Sequence, residues 1–348
     1  MKKRIAAALI LVLIITSFTA CGGTNDGGGG TAGDVVTIKV GHVCAESHPC
    51  QTAFLNFADR VAERSGGSMK VEVYPASQLG SEREMIEMTL NGGMEIFYSG
   101  SQTLGLFCDA VNFQGLPFFF TGGKPAARDF FEIYGDEIAQ KFSDELGVTI
   151  IWTDNSAYGQ GTTKKQVVLP EDIKGLKIRT LETEMMIKTY EVLGALASPV
   201  ATSEVYTALQ QGTIDATTSN MILMGMMNWN EVCDYYTDTK MFVDMGVTMM
   251  SNAWLDTLTE EQRTILMEEL EAFRDEYSEL FTEAETDLAD ELNENGTQVI
   301  KLTEDQYNQW IQAVQPVYDW FRTTYGDTCP KFDEYLEAAQ EINAKYVK

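Results

Sequence analysis

Short runs in which apolar and polar residues alternate recur along this chain, each followed by a stretch whose apolar residues fall three and four apart. A chain written this way folds as strands interleaved with helices, stacked as α/β layers with largely parallel sheets and ligand sites at strand carboxyl ends. Strands are expected at 36–40, 69–74, 95–99, 148–152, 176–179 and 214–217. A helix carrying Phe54, Phe57, Val61 and Ala62 follows the first of them. Ser81 and Glu84 form a capping box that opens a second helix, with Met85, Ile86 and Met88 inward and a stop at Asn91-Gly92-Gly93. The 348 residues, 44% of them hydrophobic, exceed one compact unit, so two lobes are expected.

The segment 259–295 sets the architecture between those lobes. Leu266, Leu270, Phe273, Tyr277, Leu280, Ala284, Leu288 and Leu292 keep helical spacing throughout, Thr259 with Gln262 caps the start, and Asn295-Gly296 ends it. A helix of that length would be about 50 Å long and would run across both lobes. The rival reading, a coiled-coil dimer, has only about five heptads and an alanine in its seam.

Charge and histidine content remove several function classes. Acids outnumber bases 52 to 25, a net charge of −27, whereas binding nucleic acid needs clustered cations. The only histidines, His42 and His48, share one nine-residue stretch, and neither HExxH, GxSxG, a phosphate loop nor a dinucleotide fingerprint is present. No catalytic residues, cofactor or metal are expected. Met221, Met224, Met226, Met227, Met249 and Met250 read as core filler, and the acids of 268–294 as the solvated face of the long helix.

The N-terminus reads as an address. Lys2, Lys3 and Arg4 precede a sixteen-residue uncharged run, 5–20, too short and too early for a membrane-spanning helix, in the layout of a secretory signal. Ser17-Phe18-Thr19-Ala20-Cys21 is similar to a bacterial lipobox, in which Cys21 is lipidated and becomes the mature N-terminus; the alternative is a signal peptide cut nearby. The glycine-rich stretch 21–34 would be a flexible tether reaching about 20 Å. Removing 1–20 leaves 22 bases against 52 acids, close to −30. Besides Cys21 five cysteines remain, an odd and scattered set that makes no disulfide framework, although Cys44 and Cys50 are close enough in sequence to bridge.

Four segments carry a specific resemblance: 41–49, with His42, Glu46, His48 and Pro49; 78–87, with Gln78-Leu79-Gly80-Ser81-Glu82; 170–179, with Pro170-Glu171-Asp172-Ile173-Lys174-Gly175 leading to Arg179; and 203–215, with Gln211-Gly212-Thr213-Ile214-Asp215. In this order, with the long helix after Leu258 and Val314-Gln315-Pro316-Val317-Tyr318 downstream, the chain over about 36–325 resembles TRAP-transporter (tripartite ATP-independent periplasmic) solute-binding proteins. The resemblance implies a type II-like periplasmic-binding-protein fold: two α/β lobes, a ligand cleft between them, and a long helix spanning both. The expected lobes are 35–155 with 244–284, and 156–243 with 285–348. It further implies a monomeric binding protein, not an enzyme, that hands an organic acid to TRAP permease subunits.

Arg179 matches the arginine that grips the ligand carboxylate, and its planar, permanently charged fork suits that task. The pocket asparagine of the family aligns with Ser219, followed by Asn220. Thr202, Tyr98, Ser99 and Asn155 fall at strand ends that line the cleft, His42 and Glu46 are expected at its rim, and Trp152 near it. Where relatives carry a second arginine, this chain has Tyr158, Gly159 or Gln160, so a monocarboxylate with an apolar or aromatic body is expected over dicarboxylates. Two other functions stay open: a binding lipoprotein of an ATP-driven importer, and a secreted hydrolase using Asp215 with Glu46 or Glu204.

Overall fold

Two sheets lie side by side in the computed structural model, which describes residues 35–154 and 156–347. The signal segment, Cys21, the tether and Asn155 lie outside the described residues. The first sheet contains β1 (Val36–His42), β2 (Met69–Tyr74), β3 (Ile96–Gly100) and β4 (Val148–Thr153). The second contains β5 (Ala157–Thr162), β6 (Lys177–Thr180), β7 (Leu196–Pro199), β8 (Ala216–Ser219) and β9 (Tyr235–Val243). The chain then returns to the first sheet with β10 (Gly246–Ser251) and ends in the second with β11 (Gln298–Lys301). The strand orders are β2-β1-β3-β10-β4 and β11-β9-β5-β8-β6-β7. β1 runs parallel to β2 and β3, β6 parallel to β7 and β8, while β10 and β5 run against their neighbours. The antiparallel strands are the ones that carry the chain from one sheet to the other, which gives the two-lobe fold.

Twelve helices cover the sheets among the described residues: α1 (Pro49–Arg64), α2 (Glu82–Leu90), α3 (Gly123–Leu146), α4 (Glu184–Val192), α5 (Val205–Gln210), α6 (Met221–Met226), α7 (Asn252–Leu255), α8 (Glu260–Ala284), α9 (Leu288–Glu294), α10 (Glu304–Ala313), α11 (Gln315–Tyr325) and α12 (Phe332–Asn343). The capping boxes at Ser81–Glu84 and Thr259–Gln262 form as the sequence indicates, each satisfying two orphan donors of a helix start. α8 buries Leu266, Leu270, Phe273, Tyr277 and Phe281, and its Phe273 ring stacks on Phe54 of α1 at 4.0 Å. Arg60 reaches Glu269 at 2.6 Å and Glu276 at 2.7 Å along the rim of that contact.

The long helix is not continuous. α8 ends at Ala284 after 25 residues, about 37 Å. The chain turns through Glu285, Thr286 and Asp287, where Asp287 takes a left-handed conformation (φ 61°), and restarts as α9. Asp tolerates that conformation better than most residues. The spacing of apolar residues survived the break because α9 still needs an inward face: Leu288 joins the main core and Leu292 the small core of the second sheet with Trp229 and Tyr236. Periodicity reports which side of a helix is buried and is blind to a change of axis.

Among the described residues, and as far as α9, three connections therefore pass between the two sheets and their helices: β4 to β5, β9 to β10, and α8 to α9. They are tied together. Asp154 accepts from Arg128 of α3 at 2.7 Å and from Ser278 of α8, while Glu285 pairs with Lys124 of α3 and accepts from the Ser156 hydroxyl at 2.5 Å. Asp244, on the second connection, is 1% exposed. It accepts from the Ser101 hydroxyl at 2.8 Å, the Gln102 N–H at 3.2 Å and the Tyr158 hydroxyl at 3.2 Å. Burial is the largest influence on this carboxyl and lifts its pKa from 3.8 to about 7 in spite of those donors.

A carboxyl whose folded pKa is raised holds its proton where the unfolded chain has released it, so stability is lost as pH rises. Urea unfolding of the wild type and Asp244→Asn across pH should show the wild type falling relative to the variant between about pH 4 and pH 7, by a few kcal/mol at most. Parallel curves would remove Asp244 as the buried titrating group.

Candidate functional site

The carboxyl ends of β3, β6 and β8 face a shared cavity, with α2 and α8 closing one side. Its walls include Val43, Cys44, His48, Glu82, Tyr98, Ser99, Thr103 and Tyr277 from the first lobe's elements, and Tyr158, Arg179, Leu181, Thr202, Thr218, Ser219, Asn220 and Leu223 from the second's. Asp244 contributes from the connection between them. The cavity is about 40 Å³, room for a water molecule or two and far below the several hundred ångströms cubed of typical small-molecule sites. This is a closed cleft.

Arg179 sits at the end of β6, only 3% exposed. Its Nε–H donates to the Val200 carbonyl at 2.8 Å, Nη1 to the Thr218 carbonyl at 3.4 Å, and Nη2 to the Thr202 hydroxyl at 3.0 Å. A guanidinium has five N–H donors, so two remain for a bound group. Among the described residues no carboxylate pairs with it directly. Burial lowers its pKa and the charge of Glu82 acts the other way, yet a guanidinium does not deprotonate in a protein. The Trp229 ring lies 5.9 Å beneath it and completes its support.

Glu82, the first residue of α2, faces Arg179 across the cleft. Its carboxylate accepts from the Ser99 hydroxyl at 2.6 Å and the Thr202 hydroxyl at 3.3 Å. Desolvation lifts its pKa, against the pull of the Ser99 hydrogen bond and the Arg179 charge. Thr202 thus links the two charges, accepting from Arg179 and donating to Glu82. The Ser219 and Thr103 hydroxyls, both on the cavity wall, have no hydrogen-bond partner among the described residues. Buried hydroxyls without partners are uncommon, and these two line one cavity, where a single polar group would satisfy both. Asn220 caps α6 by accepting from the Leu223 N–H at 2.8 Å, which leaves its amide NH₂ as the group it can offer.

Of the residues singled out by sequence, Arg179, Ser219, Asn220, Tyr158, Tyr98, Ser99 and Thr202 share this cavity. Three do not. Trp152 turns away from the cleft onto α3, donating to the Gly135 carbonyl at 3.0 Å and packing on Phe131. Glu46 is exposed on its loop. His42 is fully buried behind the wall against Phe54, and His48 takes the place at the cavity expected of it. The strand expected at 214–217 lies two residues later, at Ala216–Ser219, which brings Ser219 to its carboxyl end. Glu82, Asp244 and Thr103 were missed. Glu82 lies inside a motif that stood out, but its capping neighbourhood read as purely structural.

Of Tyr158, Gly159 and Gln160, the residues expected where relatives carry a second arginine, Tyr158 lines the cavity. Gly159 lies at a register shift between β5 and β9, where an added Cβ would come 2.2 Å from the Thr237 carbonyl and 2.8 Å from the Tyr236 ring. Gln160 is buried on the far side, donating to the Tyr190 hydroxyl at 3.1 Å. Among the described residues on the cavity wall, Arg179 is the single permanently charged cation. The carboxylates considered for hydrolysis are not gathered: Asp215 accepts from the Lys177 N–H at 3.0 Å, and Glu46 and Glu204 are exposed. Cys44 and Cys50 are free buried thiols rather than a disulfide. Cys44, Cys50 and His42, which no metal-binding motif marks out in the sequence, bring one donor atom each to within 4.8 Å of one another.

Comparison with known proteins agrees with this geometry. The DctP family model, described as bacterial extracellular solute-binding protein, family 7, matches residues 40–324. The C4-dicarboxylate-binding periplasmic protein DctP of Vibrio cholerae is 26% identical over 325 residues, 90% of this chain and 92% of its own length. A TRAP periplasmic solute-binding protein of Anaerococcus prevotii, solved with bound D-glucuronate, superposes with a TM-score of 0.82 at 26% identity, covering 90% of this chain and all of that one. One from Xanthobacter autotrophicus, solved with β-D-galacturonate, superposes with a TM-score of 0.79 at 26% identity, covering 88% and 99%. The ordered motifs, the two sheets joined by crossing strands and the match over most of the chain lead to one conclusion: this chain belongs to family 7 of the bacterial extracellular solute-binding proteins, the DctP family of TRAP-transporter solute-binding proteins.

Proposed function

We propose that the protein captures a polyhydroxylated monocarboxylate, a sugar acid, outside the cytoplasmic membrane and delivers it to a TRAP permease. The observation that carries this reading is Arg179, a buried guanidinium with two unspent N–H groups at a cavity wall that has no second permanent cation. One carboxylate fits that fork bidentately. A second would be buried unpaired beside Glu82 and Asp244, at a cost of several kcal/mol. The apolar or aromatic body expected from the sequence is revised here, because Ser99, Thr103, Thr202, Ser219, Asn220, Glu82 and Asp244 supply acceptors and donors suited to hydroxyl groups. The uronates bound by the Anaerococcus and Xanthobacter relatives have this chemistry, whereas the name of the Vibrio relative specifies C4-dicarboxylates.

Uptake in this reading needs the cleft to open, since about 40 Å³ admits no sugar acid. Rotation of the lobes about the three connections, with Arg179 and Ser219 on one side and Glu82 and Ser99 on the other, would separate the walls. The monomer is then held at the membrane by a lipidated Cys21 and the glycine-rich tether, within reach of the permease. Capture and release are the whole task, without turnover of the solute.

Calorimetry should rank glucuronate or galacturonate above succinate, malate and fumarate, and Arg179→Lys should weaken the best ligand by roughly 2–4 kcal/mol while the fold is retained. Dicarboxylates binding more tightly would overturn the single-carboxylate reading, and unchanged affinity in the folded variant would remove Arg179 from the site. Small-angle scattering should give a smaller radius of gyration with the bound acid than without it; identical curves would exclude closure. Cys21→Ser should release the protein from the cell envelope or leave it unprocessed, and normal anchoring of that variant would rule out the lipid.

A further inference from the structure

Both histidines of the chain and two of its cysteines fall in the nine residues from His42 to Cys50, and the fold folds them back on one another. His42 ends β1, Cys44 and His48 stand in the loop that follows, and Cys50 opens α1. All four side chains are buried, at 0%, 7%, 3% and 0% exposure respectively. Cys50 Sγ lies 3.8 Å from His42 Nδ1 and 3.1 Å from His48 Nδ1. One donor atom each from His42, Cys44 and Cys50 lies within 4.8 Å of the other two.

The orientation of His42 is the second observation. Its Nε2 is 2.8 Å from the Gln51 amide oxygen, which places the proton on Nε2 and leaves the Nδ1 lone pair directed at the thiols. Metal-ligating histidines are held in this way by an acceptor on the far nitrogen. The ring is also clamped by stacking on Phe54 at 6.0 Å. His48 differs: its Nδ1 accepts the Cys50 N–H at 3.2 Å as the cap of α1, so its lone pair is already committed.

We propose that His42 Nδ1, Cys44 Sγ and Cys50 Sγ form a binding site for a thiolate-preferring metal ion, zinc(II) or copper(I), in the wall of the solute cleft. Two sulfurs and an imidazole are the donor set such ions select over calcium or magnesium. A tetrahedral zinc centre, with bonds of about 2.3 Å to sulfur and about 2.0 Å to nitrogen, sets its donors about 3.3–3.8 Å apart, so movements of about an ångström close the triangle. Binding releases the two thiol protons to solvent, and the resulting thiolates neutralise a divalent ion. Cys44 and His48 line the cavity, so the ion is reached from the cleft and keeps its fourth position for water or a group of the solute. The loop from His42 to Cys50 is thereby pinned at three points, and metal and solute occupancy become linked through the wall they share.

The test uses the reduced full chain titrated anaerobically with cobalt(II), whose thiolate charge-transfer and tetrahedral d–d absorption report ligand identity. One equivalent should bind with both signatures and be displaced by zinc. Cys44→Ser and Cys50→Ser should each weaken the charge-transfer band, Gln51→Ala should lower affinity on the order of 10–100-fold, and Cys329→Ser, a buried thiol elsewhere, should change nothing. Cys44 is at the cavity margin, so its variant stays informative if Cys50→Ser does not fold. Absence of thiolate absorption at one equivalent overturns the proposal, as does a signal indifferent to Cys44→Ser. Mass analysis of the protein recovered from its own envelope that finds Cys44 and Cys50 joined as a disulfide overturns it equally.

Discussion

A guanidinium enclosed at 3% exposure governs how this molecule is arranged. It cannot shed its charge, and an unsatisfied cation in the interior would cost several kcal/mol. The second sheet answers this with dipoles rather than a full counter-ion: the Val200 and Thr218 carbonyls and the Thr202 hydroxyl take three of its N–H groups. Those acceptors come from the segments just after β7 and at the end of β8, the strands that flank β6 in the sheet order. The parallel pairing of β6 with both neighbours is therefore what places polar chain ends around one arginine. Partial satisfaction leaves two of its N–H groups without an acceptor among the described residues.

The opposite wall is negative and belongs to the other sheet's elements. Glu82 meets Arg179 only through Thr202, an arrangement that screens the cation in the closed cleft without filling its fork. A solute carboxylate entering between them would take the direct pairing that Glu82 lacks. The connections between the sheets are bound by polar contacts, Asp154 with Arg128 and Ser278, Glu285 with Lys124 and Ser156. Such contacts exchange with water more readily than an apolar core does, which is compatible with the opening proposed above, while Phe54 and Phe273 lock α1 to α8.

Much of the site was legible because it sits where α/β chains keep their ligands. Tyr98 and Ser99 could be read as strand-end residues from the point where alternation stops, whereas Arg179 and Ser219 were reached through the family resemblance, and the strand that ends at Ser219 was expected two residues earlier. Trp152 was misplaced by the same rule, since a residue at a strand end projects to one face or the other and only the packing of α3 shows which. The break at Asp287 was hidden because Leu288 and Leu292 continue the inward spacing on a new axis.

The sequence by itself determined the α/β class, the helix starts at Ser81 and Thr259 and the family, because each depends on local periodicity, capping or ordered motifs, and it singled out Arg179 as the residue to examine. Only the tertiary structure decided that Glu82 faces Arg179 and Asp244 shares their cavity, that Tyr158 rather than Gly159 or Gln160 reaches it, and that Cys44, Cys50 and His42 converge. These are relations between groups on different elements, fixed by strand order and by the bulge at Gly159. Spacing along the chain carries no direct record of distances across it.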